Sequence, residues 1–438
     1  MRKTIFAVAA IALTAGLASC SQEHEVASGK IEEGKPTYMG IAFTVPANSK
    51  AVTRATTDPN ATEAEAAFKY VDVFIYNPNT GSQVKHARIS SDEFTGPVAG
   101  SNVDEWTAKT SAKIATTTGS KTIILGVNLS ESLSNALEGV SMGAFMNVAQ
   151  SVNVADVTGS ADGFAMFSTA PLTVTLVADP DLNHPKVQVQ RLVAKVTVQK
   201  SDNMSVTAAG SIDNLKFVLN NTNKKTYYVQ PSDLKDHNWA TTPVGDLSDP
   251  NNDYVDVNEY GVAVKSLNPK YALENTTRDF LMGQITRATI RGTFVPDEIK
   301  VYANGSSNSD GYADQAPASS TPATFYSVLY NSGADRAYFS NLAVANSFAA
   351  DNSASVVTYT DGLCYWDMFL NPDAESGGPY DVVRNDFYRC NITKIIGPGR
   401  PTPEVTDPTI PPAQATDLLV DIEIVYWNPI QKDYILEP

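Results

Sequence analysis

The chain has 438 residues, which is long enough for two or three domains with sizeable hydrophobic cores. Lys and Arg total 32 against 48 Asp and Glu, so the net charge is −16 at pH 7. Such a surface repels the phosphates of nucleic acids and the headgroups of anionic lipids, so we expect no nucleic-acid partner.

Residues 1–19 have the features of an export signal: two basic residues at the start, then an apolar run at 5–18 that is too short for a comfortable membrane span. The run ends in small residues directly before Cys20. This arrangement resembles a bacterial lipoprotein signal, in which Cys20 becomes the acylated first residue. A plain signal peptide that happens to contain a cysteine is the alternative. We therefore expect an exported protein held by acyl chains.

The first predicted strand covers 38–45, where apolar and smaller or polar side chains alternate with the period of a β-strand. One face carries Met39, Ile41, Phe43 and Val45. A polar stretch follows at 46–66, with Arg54 among small residues. An arginine in an unstructured stretch is accessible to an arginine-specific protease, so we predict processing between Arg54 and Ala55.

Strand patterns separated by turn residues continue through most of the chain. Residues 131–150 show the spacing of a short surface helix interrupted by glycines, and 179–185 is the predicted domain boundary. The clearest strands are 70–76, 121–129, 186–199, 286–294, 356–369 and 385–396. Many short strands with little helix predict an all-β protein built from antiparallel β-sandwiches.

A last strand is predicted near the end of the chain, after a stretch with six prolines at 397–416. Its apolar face consists of Leu418, Val420, Ile422, Ile424 and Tyr426. The proline-rich stretch is expected to be a semi-rigid tether that does not fold onto a core. Two interpretations remain open: a final sheet strand joined by a long loop, or a strand that reaches beyond its own domain.

Motifs for catalysis, cofactors and metals are missing from the sequence. There is no GxSxG, HExxH, P-loop or CxxC, and the four histidines are scattered without a second ligand at metal spacing. We therefore predict no enzymatic activity, no cofactor and no metal site. For Cys364 and Cys390, two separate buried thiols are favoured over a cross-strand disulfide.

Short motifs in a consistent order resemble the fimbrillin family of Bacteroidales, the FimA- and Mfa-like subunits of type V pili. They are RLVAK at 191–195, YALEN at 271–275, VRNDFY at 383–388, NITKI at 391–395, GPG at 397–399 and the closing Trp427-Asn428. Cys20 and Arg54 also lie where such subunits have their acylated cysteine and processing site.

The resemblance implies two transthyretin-like antiparallel β-sandwich domains and a C-terminal donor-type strand. The expected parts are a signal peptide at 1–19, a propeptide with the first strand at 20–54, domains at 55–184 and 185–396, a tether at 397–416 and a donor segment at 417–438. It also implies transport to the outer membrane as a lipoprotein and removal of the first strand by an arginine-specific protease. A neighbour's strand then replaces the removed one.

The predicted function is therefore a structural subunit of a surface fimbria, with other copies of the chain or related subunits as partners. Repeated head-to-tail strand addition does not close on itself, so it builds a filament. The alternative is a tip or surface adhesin that binds a ligand without forming the stalk. A secreted hydrolase would need paired carboxylates or a nucleophile with its base, and the sequence offers neither.

Overall fold

A computed structural model describes residues 34–45, 62, 65, 67–96, 104–158, 163–240, 247, 253–263, 266–305, 307–405, 407–412 and 417–427. Strands dominate these ranges, which confirms the all-β prediction. No helix in these ranges is long and apolar enough to cross a membrane.

Twelve strands form the first half of the structure. They are β1 (Pro36–Met39), β2 (Ala42–Val45), β3 (Tyr70–Tyr76), β4 (Gln83–Ser90), β5 (Phe94–Thr95), β6 (Asp104–Ala108), β7 (Ile114–Thr117), β8 (Gly119–Val127), β9 (Gln150–Ser151), β10 (Met166–Ser168), β11 (Leu172–Leu176) and β12 (Lys186–Arg191). A nine-stranded sheet runs in the order β4-β3-β8-β10-β12-β2-β6-β5, with β11 also paired to β8. Strand β1 pairs separately with β7.

The predicted single strand at 38–45 is divided into β1 and β2, which belong to different sheets. The division falls at Gly40, whose N–H donates to the carbonyl of Asn183 at 2.9 Å. A Cβ at this position would lie 2.5 Å from Nδ1 of His184. The chain therefore passes close to the 183–184 loop at the one residue without a side chain, and the alternation alone does not reveal this switch.

Fourteen strands form the second half. They are β13 (Val193–Val206), β14 (Gly210–Asn220), β15 (Lys225–Thr226), β16 (Val255–Asp256), β17 (Pro269–Leu273), β18 (Arg287–Pro296), β19 (Ile299–Tyr302), β20 (Tyr312–Gln315), β21 (Phe325–Tyr330), β22 (Asp335–Phe339), β23 (Val356–Tyr359), β24 (Leu363–Phe369), β25 (Asp386–Ile395) and β26 (Leu418–Tyr426). Two four-stranded sheets, β17-β13-β25-β26 and β16-β14-β18-β24, enclose one apolar core.

The predicted domain boundary at 184/185 lies just before β12. Strand β12 follows it but pairs with β10 and β2 of the first sheet, and the chain crosses to the second half at the buried Leu192. The alternating pattern continues from β12 into β13, so the sequence shows one strand at 186–199 where the structure has two. The halves also join through the small β9–β15 pair.

Two strand pairs differ from the antiparallel prediction. Strand β2 runs parallel to β12, and β13 runs parallel to β25. Both pairs join strands that are far apart in sequence, so no hairpin forces them to be antiparallel. The sheets are therefore mixed, although antiparallel pairs predominate among the described strands.

Four α-helices have defined bounds in the described ranges: α1 (Glu131–Ala136), α2 (Met142–Asn147), α3 (Val154–Thr158) and α4 (Leu342–Asp351). The first two correspond to the interrupted helix predicted at 131–150. Helix α4 was not predicted. It begins at Asn341, whose side chain accepts hydrogen bonds from the N–H groups of Ala343 and Val344, and it packs on the β21–β22–β23 sheet in a small lobe.

Cys364 and Cys390 lie on β24 and β25 as free thiols, and both are fully buried. The prediction of two buried thiols is confirmed. Burial raises the pKa of each thiol far above its usual range, so both behave as small apolar side chains.

Three buried aspartates in the second half have raised pKa values. Desolvation raises the pKa of Asp236 to about 7 and those of Asp381 and Asp386 to about 6, against their backbone or side-chain hydrogen bonds, which act to lower them. Each carboxyl binds its proton more tightly in the folded than in the unfolded chain. Between about pH 4 and pH 7 the folded state therefore holds more protons, and stability falls as the pH rises.

We predict that the free energy of unfolding is higher at pH 5 than at pH 8. Asp386→Asn should remove on the order of 1 kcal/mol of this difference, because an amide does not ionise and can still accept the hydrogen bond from Ser376. Urea unfolding at both pH values measures the effect. An unchanged pH dependence in the variant contradicts the assignment to Asp386.

Candidate functional site

Strands β1 and β2 are integral parts of the first half of the structure. Met39, Ile41 and Phe43 are almost completely buried, and the Phe43 ring packs edge-on against Phe68 and Phe94 at centroid distances of 5.2 and 5.6 Å. Val45 pairs with Asp104 through the backbone. The residues predicted for the removable strand therefore contribute to the core of their own domain.

Strand β2 is hydrogen-bonded along both sides, to β12 on one and to β6 on the other. An interior strand of this kind cannot be removed without consequences: two strand edges lose their partners and an apolar slot opens between them. The predicted processing residues Arg54 and Ala55, and the predicted acylated Cys20, lie outside the described residues.

The last strand, β26, pairs antiparallel with β25 of its own chain, from Leu418 opposite Ile395 to Tyr426 opposite Asp386. It lies at the end of its sheet, so among the described strands only β25 is bonded to it. Leu418 is buried, and Val420, Ile422 and Ile424 are half-buried against the apolar core between the two four-stranded sheets. The intervening Leu419, Asp421 and Glu423 are exposed. The backbone of Tyr426 pairs with that of Asp386.

The prediction that 397–416 does not fold onto a core is wrong for its described part. Backbone N–H and C=O groups of Arg400 and Tyr365 bond reciprocally at 2.7 and 2.9 Å, and the Arg400 guanidinium lies 2.6 Å from Asp367. The carbonyls of Pro408 and Ile410 accept from Gly283 and Met282, both at 2.8 Å. Proline has no N–H but keeps its carbonyl, so a proline-rich segment can still line a domain as a hydrogen-bond acceptor.

A buried polar cluster lies where the two halves meet, around the carboxylate of Glu65. Nζ of Lys195 is 2.8 Å from Oε1 and 2.9 Å from Oε2. The hydroxyl of Tyr271 donates to Oε1 at 2.7 Å, and Nε1 of Trp427 donates to Oε2 at 3.1 Å. We call these residues, together with Arg191, the junction cluster.

Arg191 completes the junction cluster from the end of β12. Its Nη1 donates to the carbonyl of Trp427 at 2.7 Å and to Oδ1 of Asn385 at 3.1 Å, and its Nε donates to the carbonyl of Glu65 at 3.1 Å. The guanidinium carbon also lies 4.4 Å from the centre of the Trp427 ring, within cation–π range. Arg191, Lys195 and Trp427 are at most 1% exposed.

In the junction cluster the Glu65 carboxylate compensates the charge of Lys195, while the guanidinium of Arg191 is satisfied by carbonyl and amide oxygens. Burial raises the pKa of Glu65, but the Lys195 charge and the hydrogen bonds from Lys195, Tyr271 and Thr62 outweigh it, so the pKa lies below its usual range. Desolvation lowers the pKa of Lys195 despite Glu65. Buried ion pairs persist only when such additional hydrogen bonds satisfy them, and removal of one partner is costly.

Several of the sequence motifs meet at this junction. Arg191, Lys195, Tyr271, Asn385 and Trp427 all come from motifs that support the fimbrillin resemblance, and the structure brings them within contact distance. Glu65 was not predicted, because nothing in the polar stretch 46–66 distinguishes it from the other acidic residues. A second buried pair of motif residues, Glu274 and Arg384, lies 2.7 Å apart.

The chemistry of these groups is structural. The charged members of the junction cluster bond to one another, to Tyr271 and Trp427, and to the neighbouring Asn385 and Thr62, so they connect segments that are remote in sequence. In the parts of the chain that the structure describes, no group of three or more His, Cys, Asp or Glu residues is arranged to hold a metal ion.

Comparisons with known proteins agree with this architecture. Residues 357–433 match the family described as major fimbrial subunit protein type IV, fimbrillin, C-terminal. The structure of a fimbrilin (FimA) from Porphyromonas gingivalis W83 is similar at a TM-score of 0.50 and 17% identity, covering 90% of this chain and 99% of that one. No curated protein matches the chain.

Two further structures show lower similarity. The tip fimbrial protein Mfa3 from Porphyromonas gingivalis has a TM-score of 0.40 at 14% identity, covering 89% of this chain and all of the other. A fimbrial assembly protein from Parabacteroides distasonis ATCC 8503 has a TM-score of 0.40 at 10% identity, covering 90% and 100%. At these identities the likeness concerns the fold and not the function. The family match contains the motifs at 383–388, 391–395 and 397–399 and the closing Trp427-Asn428, and it confirms the resemblance: residues 357–433 of this chain are similar to the C-terminal region of the fimbrillin family.

Proposed function

We propose that this chain is a structural subunit of a cell-surface fimbria, without enzymatic activity. It is exported as a lipoprotein acylated at Cys20, reaches the outer membrane, and is cut between Arg54 and Ala55 by an arginine-specific protease. Processed subunits then join by strand exchange, in which the C-terminal strand β26 of one copy or related subunit fills the groove of the next.

The position of β2 is the observation that carries this proposal. Both β1 and β2 precede Arg54, so a cut there allows them to leave. The groove left behind has two hydrogen-bonding edges, on β12 and β6, and an apolar floor. Burying three side chains such as Met39, Ile41 and Phe43 stabilises by roughly 5–9 kcal/mol before ordering costs, so a replacement strand has a strong driving force.

Strand β26 is suited to be that replacement. Leu418, Val420, Ile422 and Ile424 repeat with the same period as Met39, Ile41 and Phe43. Strand β26 is hydrogen-bonded along one side only, and three of these four side chains are half-buried. The free energy lost when β26 leaves its own sheet is therefore smaller than the free energy gained when it binds between two strands of a neighbour. Transfer from an edge to an interior position adds a second row of hydrogen bonds.

A tip or surface adhesin is the second candidate function, and the lobe that carries α4 favours it. Leu329 and Val357 lie on the face of the lobe sheet that does not contact α4, and they are 47% and 37% exposed. Apolar side chains on an accessory lobe offer contact area to a ligand. The strand-exchange test below separates the candidates, because an adhesin that does not form the stalk needs β26 for its own sheet and not as a donor strand.

For processing, we predict that Arg54→Ala leaves a longer form that retains its lipid and does not polymerise, because β2 keeps the groove filled. Mass spectrometry of surface-associated protein and electron microscopy of sheared filaments measure the outcome. The control is Lys50→Ala, which removes another positive charge from the polar stretch 46–66. Arg88→Ala is less suitable, because Arg88 is 3.1 Å from the buried Asp72 and its loss would affect folding. Normal filaments from Arg54→Ala rule out this processing bond.

For lipidation, we predict that Cys20→Ser abolishes acylation and mislocalises the precursor, because a single cysteine provides the whole membrane attachment. Labelling with a fatty-acid probe and membrane fractionation measure both effects. The matched control is Ser19→Ala, which leaves a small residue before an intact Cys20. Retained label in Cys20→Ser shows that the acylation site lies elsewhere.

For strand exchange, we predict that Ile422→Asp blocks donation, because an unpaired carboxylate in an apolar groove is costly. The variant still has its own groove, so it should accept a strand and end the chain. Added to wild-type subunits at one part in ten, it should shorten the filaments seen by electron microscopy.

The control is Asp421→Ala, one residue away on the exposed face, which should leave filament length unchanged. A fall of a few degrees in the melting temperature of Ile422→Asp is expected, because Ile422 also packs against its own core. Filaments of normal length in the mixture, although the variant is folded, contradict donation by β26.

A further inference from the structure

Two segments that are 362 positions apart in sequence meet in the junction cluster. Glu65 follows the proposed processing bond by 11 residues, so it stays with the subunit after the cut. Trp427 directly follows β26. Its indole N–H bonds to the Glu65 carboxylate at 3.1 Å, and its ring stacks on Tyr271 with centroids 5.5 Å apart. The segment next to the cut therefore contacts the end of the proposed donor strand.

Strand β26 is anchored at its two ends. Among its described side chains and the adjoining Trp427, only Leu418 at one end and Trp427 at the other are buried, while the side chains between them are half-buried or exposed. A strand at the edge of a sheet can peel from either end, so the retention of β26 depends strongly on how firmly Trp427 is held.

Glu65 has the central position in that anchorage. Its single carboxylate accepts from Trp427, Tyr271 and Lys195. Without its charge, Lys195 loses its counter-ion while Arg191 remains close by and disfavours a second cation. The junction cluster then contains two cationic side chains and no carboxylate, and opening the end of β26 to water relieves their desolvation.

Arg191 also connects the cluster to the proposed acceptor groove. It is the last residue of β12, and β12 bonds to β2 through Lys186, Val187 and Gln188. The wall of the groove is thus continuous with the residue that holds the carbonyl of Trp427.

We propose that Glu65 is a positioning residue that latches β26 to its own subunit, so that the segment next to the processing bond controls release of the C-terminal strand. The significance of this latch for assembly rests on the proposed function. The latch itself is a property of the single subunit and is measured without assembly.

The test is hydrogen–deuterium exchange on the full-length monomer, comparing wild type with Glu65→Gln and Trp427→Phe. Glu65→Gln removes the charge with little change of shape, and Trp427→Phe removes only the indole N–H and part of the ring. We expect amides in 418–427 to exchange about tenfold faster in each variant, as for loss of one buried hydrogen bond to a charged group. Amides of β24, in the facing sheet of the same half, should change much less.

The matched control is Asp72→Asn, which also removes a fully buried carboxylate paired with an arginine, Arg88 at 3.1 Å. The Asp72 carboxylate bonds to side chains of the first half that are all distant in sequence from β26, namely His86, Arg88 and Ser134. It should lower the melting temperature without selectively increasing exchange in 418–427.

Three results overturn the latch: unchanged exchange in 418–427 in both variants, an equal increase in β24, or the same selective increase in Asp72→Asn. If Glu65→Gln is too unstable to study, Trp427→Phe alone decides. In a separate arm, Glu65→Gln subunits should start filaments sooner than wild type. Absence of filaments even from wild-type subunits counts against strand exchange, and the monomer result still decides the latch.

Discussion

Two buried cations, Arg191 and Lys195, flank the point where the chain passes from the first half to the second, and the arrangement of the molecule depends on their compensation. Neither can be solvated at that position, so each must find acceptors within the protein. The acceptors come from segments remote in sequence: the carboxylate and carbonyl of Glu65, the carbonyl of Trp427 and the side chain of Asn385. This requirement ties Glu65 and Trp427 to the middle of the chain.

The two terminal strands are held in different ways. Strand β2 lies between two partners, and its Ala42 and Phe43 side chains are buried, whereas β26 lies at a sheet edge with Val420, Ile422 and Ile424 half-buried. In the proposed exchange, this difference favours transfer of β26 into the groove left by β2. A strand that enters the groove left by β2 is hydrogen-bonded on two sides, whereas β26 is bonded on one side in its own sheet. The free energy gained in the groove therefore exceeds the free energy lost when β26 leaves β25.

Much of this was predictable from patterns with a local cause. The period-2 alternation of β26, the buried thiols on β24 and β25, and the interrupted helix at α1 and α2 follow from side-chain type and spacing. Helix α4 had a usable sequence signal, because the capping residue Asn341 precedes an alanine-rich run, but the many strand patterns around it obscured this signal. The path of residues 397–412 was not predictable in this way, because proline content describes stiffness and says nothing about which carbonyls find donors.

The sequence by itself determined the class of the protein: an all-β chain with two separate buried thiols and motifs that resemble the fimbrillin family in their expected order. Only the tertiary structure decided which strands share a sheet. It divided β1 from β2 at Gly40 and β12 from β13 at Leu192, and it brought Glu65 to Trp427 across 362 positions. Side-chain alternation reports which face of a strand is buried, but it contains no information on the partner that buries it. Long-range pairing and charge compensation supply that partner.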